Sequence, residues 1–153
     1  IDACTENISI ALIIKELVAE KSFPSGKDYS ENILPQIKKL LSENDLKIND
    51  IDADGIGAGP GSFTGIRITC GIAYGIAYAN NLPIVGVNTL EALAWLSMHE
   101  NSISCIDARM GQVYLGIYQK KNGRGCTSKI HHETYDGAIP WRAWRKIMAP
   151  YAL

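Results

Sequence analysis

The chain has 153 residues, of which 46% are apolar and 20% are charged, and its net charge at pH 7 is −1. This composition predicts an ordinary globular core with a small appendage, and the lack of a basic run does not favour direct binding of nucleic acid. No stretch reaches the roughly twenty apolar residues of a membrane span, and no signal peptide is recognisable. The four cysteines are far apart, which predicts neither a metal cluster nor a disulfide framework but a reducing, cytoplasmic setting.

The first predicted elements are two strands, Ile8–Ile14 and Glu16–Phe23. Only Lys15 lies between them, whereas a tight hairpin favours two turn residues of the Gly, Asn or Asp type. We therefore expect either one long strand or a turn that is absent from the sequence, and we favour the absent turn. Ile1 stands where an initiator Met would, so we also expect residues upstream to be absent.

A helix is predicted next, over Glu31–Ser42, with Ser30 as its N-cap and Pro35 near its first turn. Its apolar stripe has helical spacing and consists of Ile33, Leu34, Ile37, Leu40 and Leu41. Core packing explains such a stripe more often than a partner interface does. Both interpretations stay open.

The most informative segment is Gly57–Ile68, which contains four glycines and a proline. A short strand, Ile51–Ile56, is predicted before it, and a helix capped by Ser62 or Thr64 after it. Unpaired amides at a helix N-terminus favour an anion such as phosphate. The spacing fits neither a Walker loop nor a dinucleotide fingerprint, however. The glycines therefore serve either a phosphate or close packing of the helix on its strand.

The helix that follows runs towards Asn80 and has Gly71, Gly75 and Ala79 at four-residue spacing. Each glycine inside a helix costs roughly 1 kcal/mol relative to alanine, so another helix is expected to approach this face closely. Tyr74 and Tyr78 repeat at the same spacing and suit the rim of an interface. Packing within the chain and an interface between subunits explain this helix face equally well.

Four further elements and two turns complete the predicted α/β pattern. They are a strand Leu82–Val87, a helix Leu90–Met98 capped by Thr89, a strand Ser104–Ala108, a turn Arg109–Gly111, an edge-type strand Gln112–Gln119 and a hairpin turn Lys121–Gly125. Beyond Cys126 no periodicity is clear, although Trp141 and Trp144 follow Pro140 as if at the start of a helix.

Three blocks of this sequence resemble the TsaB (YeaZ) family in order and spacing: Ile1–Thr5, Gly59–Arg67 and Asp107–Tyr114. Together they span most of residues 1–119. The resemblance implies an α/β fold of the actin-like ATPase (ribonuclease H-like) class, in the glycoprotease M22 lineage, with a mixed sheet flanked by helices. We divide the chain into an N-terminal subdomain, 1–108, and a partial C-terminal subdomain, 109–153.

The resemblance also implies a function, namely a non-catalytic scaffold in making threonylcarbamoyladenosine at position 37 of tRNA. Such a protein binds a TsaD-like catalytic subunit that holds the metal, works with a TsaE-like ATPase and TsaC-type enzymes, reaches tRNA only through the complex, and forms a homodimer when alone. The pairing surface implied lies on the helices matching Glu31–Ser42 and Thr64–Asn80. Its expected residues are Ile33, Ile37, Gly71, Tyr74, Gly75, Tyr78 and Ala79.

The sequence lacks the HxxxH metal pair of the catalytic paralogue, because His99, His131 and His132 do not have that spacing. We therefore expect no catalytic residue, no metal ligand and no required cofactor, with ATP or ADP allowed at the complex interface. The alternative is a nucleotide-using ATPase or hydrolase with Mg²⁺ on Asp2 or Asp107. Its nucleotide-binding residues would be Asp2, Thr5, Gly59, Gly61, Ser62, Thr64, Gly65 and Asp107. One departure from the family is Tyr29, which replaces a usual His.

Overall fold

A computed structural model describes residues 1–26, 29–110 and 112–120, together with two backbone strands at 126–128 and 139–140. The chain separates into two units, Ile1–Val87 and Asn88–Leu153. Residues 108 and 109, where the sequence predicts a subdomain boundary, lie within a hairpin of the second unit, and that boundary stays a prediction. Two predictions lie outside the described residues: the turn at 121–125 and the helix start at Trp141 and Trp144.

The first unit mixes strands and helices, and the second begins with a helix that is followed by strands. In the first unit they are β1 (Asn7–Ile14), β2 (Leu17–Pro24), α1 (Tyr29–Ser42), a short 3₁₀ turn (Ile48–Asp50), β3 (Asp54–Gly59), α2 (Phe63–Asn80) and β4 (Ile84–Asn88), which ends at the boundary. In the second unit they are α3 (Thr89–Leu96), β5 (Asn101–Arg109), β6 (Gln112–Lys120), β7 (Cys126–Ser128) and β8 (Ile139–Pro140).

The first two strands form a continuous antiparallel hairpin. Pairing runs from Asn7 opposite Pro24 to Ile14 opposite Leu17, so Lys15 and Glu16 form a two-residue turn. The expectation of an absent turn is therefore wrong. Lys15 adopts a left-handed backbone with φ of 55°, which costs a non-glycine residue about 1–2 kcal/mol. The uninterrupted ladder over the whole length of both strands offsets this cost.

The short segment Ile1–Asp2 joins the hairpin to β3. Asp2 and Ser9 exchange backbone hydrogen bonds of 2.9 and 2.8 Å in an antiparallel bridge. On its other side, the Ile1 nitrogen donates to the Gly55 carbonyl and the Gly57 amide donates to the Ile1 carbonyl. One residue bonded to two residues on its neighbour is the parallel pattern. The Ile1–Asp2 segment thus connects two two-stranded sheets by hydrogen bonds, β1–β2 on one side and β3–β4 on the other.

The core of the first unit lies between one face of β1 and the inner face of α1. The buried side chains are Ala3, Ile8, Ile10, Leu12, Ile33, Ile37, Leu40 and Leu41. Alternation along β1 and helical spacing along α1 bring these faces together, and each fully buried aliphatic side chain stabilises by about 1.5–3 kcal/mol. Because α1 begins at Tyr29, Ser30 lies inside the helix and is not its N-cap.

The strand before the glycine segment begins and ends later than predicted. It spans Asp54–Gly59 rather than Ile51–Ile56, so Gly57 and Gly59, two of the segment's four glycines, belong to the strand itself. Glycines contribute nothing to a pattern of apolar side chains. The prediction therefore relied on Ile51 and Ile56, and it placed the strand too early in the sequence. Its position is set by hydrogen bonds to Ile1 and by the Asp54 amide, which donates to the Pro83 carbonyl at 2.9 Å.

In the second unit α3 packs on the β5–β6 hairpin. Asn88, not Thr89, caps α3, because its side chain accepts hydrogen bonds from the amides of Leu90 and Glu91 at 2.9 and 3.1 Å. The prediction that β6 is an edge strand is also wrong. It lies between β5 on one side and β7 and β8 on the other, and Tyr118 is buried.

Candidate functional site

The glycine segment is pressed against the backbone of Ala3 and Cys4. A Cβ atom at Gly65 would overlap the Ala3 carbonyl oxygen, and one at Gly61 would overlap the Cys4 carbonyl oxygen. Gly59 has φ of 92°, and a Cβ atom there would lie 2.8 Å from Ile66 Cδ1. Close packing of α2 on the Ile1–Cys4 segment therefore requires Gly61 and Gly65, and the left-handed backbone at position 59 favours glycine there.

Local hydrogen bonds engage the polar groups that were predicted to bind a nucleotide. Ser62 caps α2: its Oγ accepts from the Gly65 amide at 3.2 Å, while its own amide donates to the Cys4 carbonyl at 2.7 Å. One carboxylate oxygen of Asp2 accepts from the Cys4 amide at 2.7 Å. The Thr5 hydroxyl donates to the Asn7 carbonyl at 3.1 Å. The structure thus brings Asp2 and Ser62 together at the Cys4 backbone, while the Thr5 hydroxyl bonds to Asn7 instead.

The first turn of α2 leaves two donors that this network does not use. The amides of Phe63 and Thr64 have no acceptor among the described residues, as is usual for the first amides of a helix. Next to them, the Arg67 guanidinium stacks 3.8 Å from the centre of the Phe63 ring, and 67% of Phe63 is exposed. The sequence analysis missed this pair, although its four-residue spacing is a usual signal of side-chain contact on a helix.

Asp107, the remaining nucleotide candidate, lies at the end of β5 in the second unit. Its Oδ1 accepts from the Arg109 amide at 2.7 Å, and its Oδ2 lies 3.4 Å from the Arg109 guanidinium. Arg109 and Met110 have left-handed φ values of 68° and 51°, so the chain turns at these two residues of the predicted turn. Asp107 stabilises that turn and is largely exposed.

A groove of about 580 Å³ lies between α1 and α2. The side contributed by α2 consists of Gly71, Ile72, Gly75, Ile76, Ala79 and Asn80. The opposite side consists of Leu34, Ile37, Lys38 and Leu41 of α1 and the following residues Leu46–Ile48. The lining is almost entirely apolar, so water in the groove is held weakly and its release favours binding of an apolar surface.

Gly71 and Gly75 give the groove its depth. A Cβ atom at either position would meet nothing within 4 Å, so no other element of the described chain requires a glycine there. Tyr74 and Tyr78 stand beside the groove on the outer face of α2 and are 62% and 94% exposed. The predicted small-residue face is thus on the surface.

Two of the predicted interface residues do not lie on this surface as expected. Ile33 is fully buried in the core, and Ile37 is 8% exposed and reaches only the floor of the groove. Leu34 and Lys38, one position further along in each case, are exposed and line the groove. The apolar stripe alone could not separate these faces, since Leu34 belongs to the same stripe and Lys38 has no apolar character.

Two negative observations concern only the residues that the structure describes. In that part of the chain, no cluster of three or more His, Cys, Asp or Glu side chains could hold a metal ion. None of its helices combines the length and hydropathy needed to span a membrane.

Comparison with known proteins identifies the chain. The family model described as TsaD, tRNA N6-adenosine threonylcarbamoyltransferase, matches residues 23–141. The chain is 39% identical over 128 residues to the tRNA threonylcarbamoyladenosine biosynthesis protein TsaB of Escherichia coli, which covers 80% of this chain and 55% of that protein. The TsaB protein of Bacillus subtilis is 38% identical over 126 residues, with the same shares covered. The chain belongs to this family, in its TsaB (YeaZ) branch.

Solved structures of the TsaB (YeaZ) family confirm the actin-like fold class. YeaZ from Pseudomonas aeruginosa superposes with a TM-score of 0.80 at 31% identity, covering 91% of this chain and 65% of that one. A second structure, described as similar to peptidase YeaZ from the same organism, gives a TM-score of 0.81 at 31% identity. The chain spans about half the length of the curated relatives it matches.

Proposed function

We propose that this chain is a non-catalytic subunit in the synthesis of threonylcarbamoyladenosine on tRNA, and that it supports a TsaD-like transferase by binding it. The observation that carries the proposal is the α1–α2 groove, whose Gly71 and Gly75 are required by no other element in the part of the chain that the structure describes. The relatives named for this biosynthesis support it. The proposal includes a cytoplasmic location and work alongside TsaE-like and TsaC-type proteins, with tRNA reached through the complex.

The groove fits a helix of a partner protein. Glycines four residues apart remove the side chains that would hold two helices apart, so the backbones approach closely and the partner's side chains fill the gap. Tyr74 and Tyr78 then flank the contact, since their rings bury apolar area while their hydroxyls stay wet. In the absence of the transferase, the same surface pairs with a second copy of the chain.

A graded series at Gly75 tests the proposal. Gly75→Ala adds one methyl group in open space and should retain the complex, whereas Gly75→Leu should fill the groove and abolish it without unfolding the chain. Lys39→Leu is the matched control, because Lys39 is exposed on α1 outside the groove. The measurements are co-elution with a TsaD-like subunit and product formation on tRNA with purified TsaC-, TsaD- and TsaE-type proteins. An undisturbed complex with Gly75→Leu would contradict the proposal.

A nucleotide-using enzyme is the second candidate, and the amides of Phe63 and Thr64 favour it because they remain available to an anion. The hydrogen bonds already made by Asp2, Thr5 and Ser62 weigh against it. Equilibrium dialysis with ATP and ADP, with and without Mg²⁺, separates the possibilities. Binding by the isolated chain together with metal-dependent turnover would favour the enzyme, whereas binding only in the presence of the transferase would place the nucleotide at the joint interface.

A further inference from the structure

Two lysines carry all the formal charge in the lining of the α1–α2 groove. They are Lys38 on α1 and Lys47 beyond its C-terminus, and every other described lining residue is apolar except Asn80. Both side chains are exposed, and neither forms an ion pair within the described parts of the chain. The neighbouring basic residues behave differently. Lys21 lies 2.6 Å from the Glu43 carboxylate and Lys39 lies 4.0 Å from it.

Covering the groove changes the surroundings of these two ammonium groups. Their aliphatic stems can lie along the apolar lining while the charged heads stay in water, as is usual for lysine. A partner that closes the groove removes part of that water, and an ammonium group that loses water without gaining an acceptor opposes binding. The partner must therefore supply carboxylates near both heads or leave both heads at a wet rim.

Pairing of two copies groove to groove does not supply these acceptors from the lining, which contains no carboxylate among the described residues. In such a two-fold contact the same surface meets itself, so lysines approach apolar or basic side chains. We propose that Lys38 and Lys47 are specificity-determining residues, and that they select a partner whose apolar helix carries carboxylates opposite them over a second copy of this chain. This inference rests on the proposed function, because it concerns the partner that occupies the same groove.

The test is a binding titration of the full chain with its TsaD-like subunit at low and high salt. Reversing both charges, in Lys38→Glu with Lys47→Glu, should raise the Kd by about tenfold or more, mainly through slower association. Affinity of the unmodified chain should fall between about 50 mM and about 500 mM NaCl, whereas that of the double variant should rise with salt, because salt screens the repulsion between like charges. Self-association, measured by sedimentation equilibrium, should not weaken.

Lys39→Glu is the control, since it reverses one lysine charge on α1 outside the groove, as Lys38→Glu does inside it. Circular dichroism on each variant separates loss of binding from loss of folding. If the double variant and the control bind alike, with the same salt dependence, the inference is overturned while the proposed function stands. If the unmodified chain does not bind the transferase at all, the proposed function is overturned, and this inference with it.

Discussion

Replacing Gly65 by alanine should destabilise the chain, whereas replacing Gly71 by alanine in the same helix should stabilise it. A Cβ atom at position 65 would overlap the Ala3 carbonyl oxygen and lie 2.9 Å from its carbonyl carbon, and backbone atoms cannot yield as a flexible side chain does. Overpacking of this kind costs about 1–3 kcal/mol. At position 71 the added methyl group meets nothing within 4 Å, and alanine gains about 1 kcal/mol over glycine in a helix interior.

The two variants should therefore differ by about 2–4 kcal/mol in free energy of unfolding, with opposite signs relative to the parent. Urea unfolding followed by circular dichroism measures this difference, provided that the slope m stays constant. For a chain of this size each 1 kcal/mol corresponds to a shift in Tm of about 2–4 °C. A loss of stability in Gly71→Ala comparable to that in Gly65→Ala would refute the reasoning, because it would mean that the fold itself needs both glycines.

Three further predictions concern individual side chains. Ile33→Ala should lower the free energy of unfolding by about 2–5 kcal/mol because Ile33 is fully buried, while Leu34→Ala should change it by less than about 0.5 kcal/mol. Chemical denaturation measures both changes, and equal losses would show that the faces of α1 are assigned wrongly. Asn88→Ala should cost about 1 kcal/mol by removing the cap of α3, and a serine there should restore most of it. The hydrogen bond from Lys21 lowers the pKa of Glu43 below its usual value of 4.5. This interaction therefore stabilises the fold above pH 4.5, and the stabilisation is lost as the pH falls further and Glu43 is protonated in the folded state. The difference between the parent and Glu43→Gln should therefore shrink in acid, and a constant difference would count against the pair.

Much of the fold was predictable because its helices and most of its strands follow from local periodicity. The stripe on α1 and the small-residue face of α2 lie where the spacing placed them, and Ser62 is one of the two N-caps considered. The β1–β2 turn was not predictable, since Lys15 lacks the usual preference for a left-handed backbone. It takes that conformation because the strands on either side pair along their whole length.

The candidate site was predicted in part. The glycines of α2 were recognised as a surface for close approach, but the sequence could not show which side of α1 faces the same groove. Lys38 and Lys47 were missed for that reason, since a lysine on an amphipathic helix usually marks only its solvated side. The position of the strand before the glycine segment was predicted wrongly because its hydrogen-bonding neighbours are distant in sequence. They are Ile1 on one side and Pro83 on the other.

The contacts of the glycine segment bear on which substitutions can compensate one another. A side chain at Gly57 would overlap the Asp2 carboxylate and lie 3.0 Å from the Cys4 sulfur, so a smaller residue at position 2 relieves most of the overlap. A side chain at Gly61 or Gly65 would meet carbonyl oxygens that every amino acid carries, so no exchange at residues 3 or 4 relieves the overlap. In a genetic selection, suppressors of a defect at Gly57 are therefore available nearby, while defects at Gly61 and Gly65 are restored by reversion to glycine.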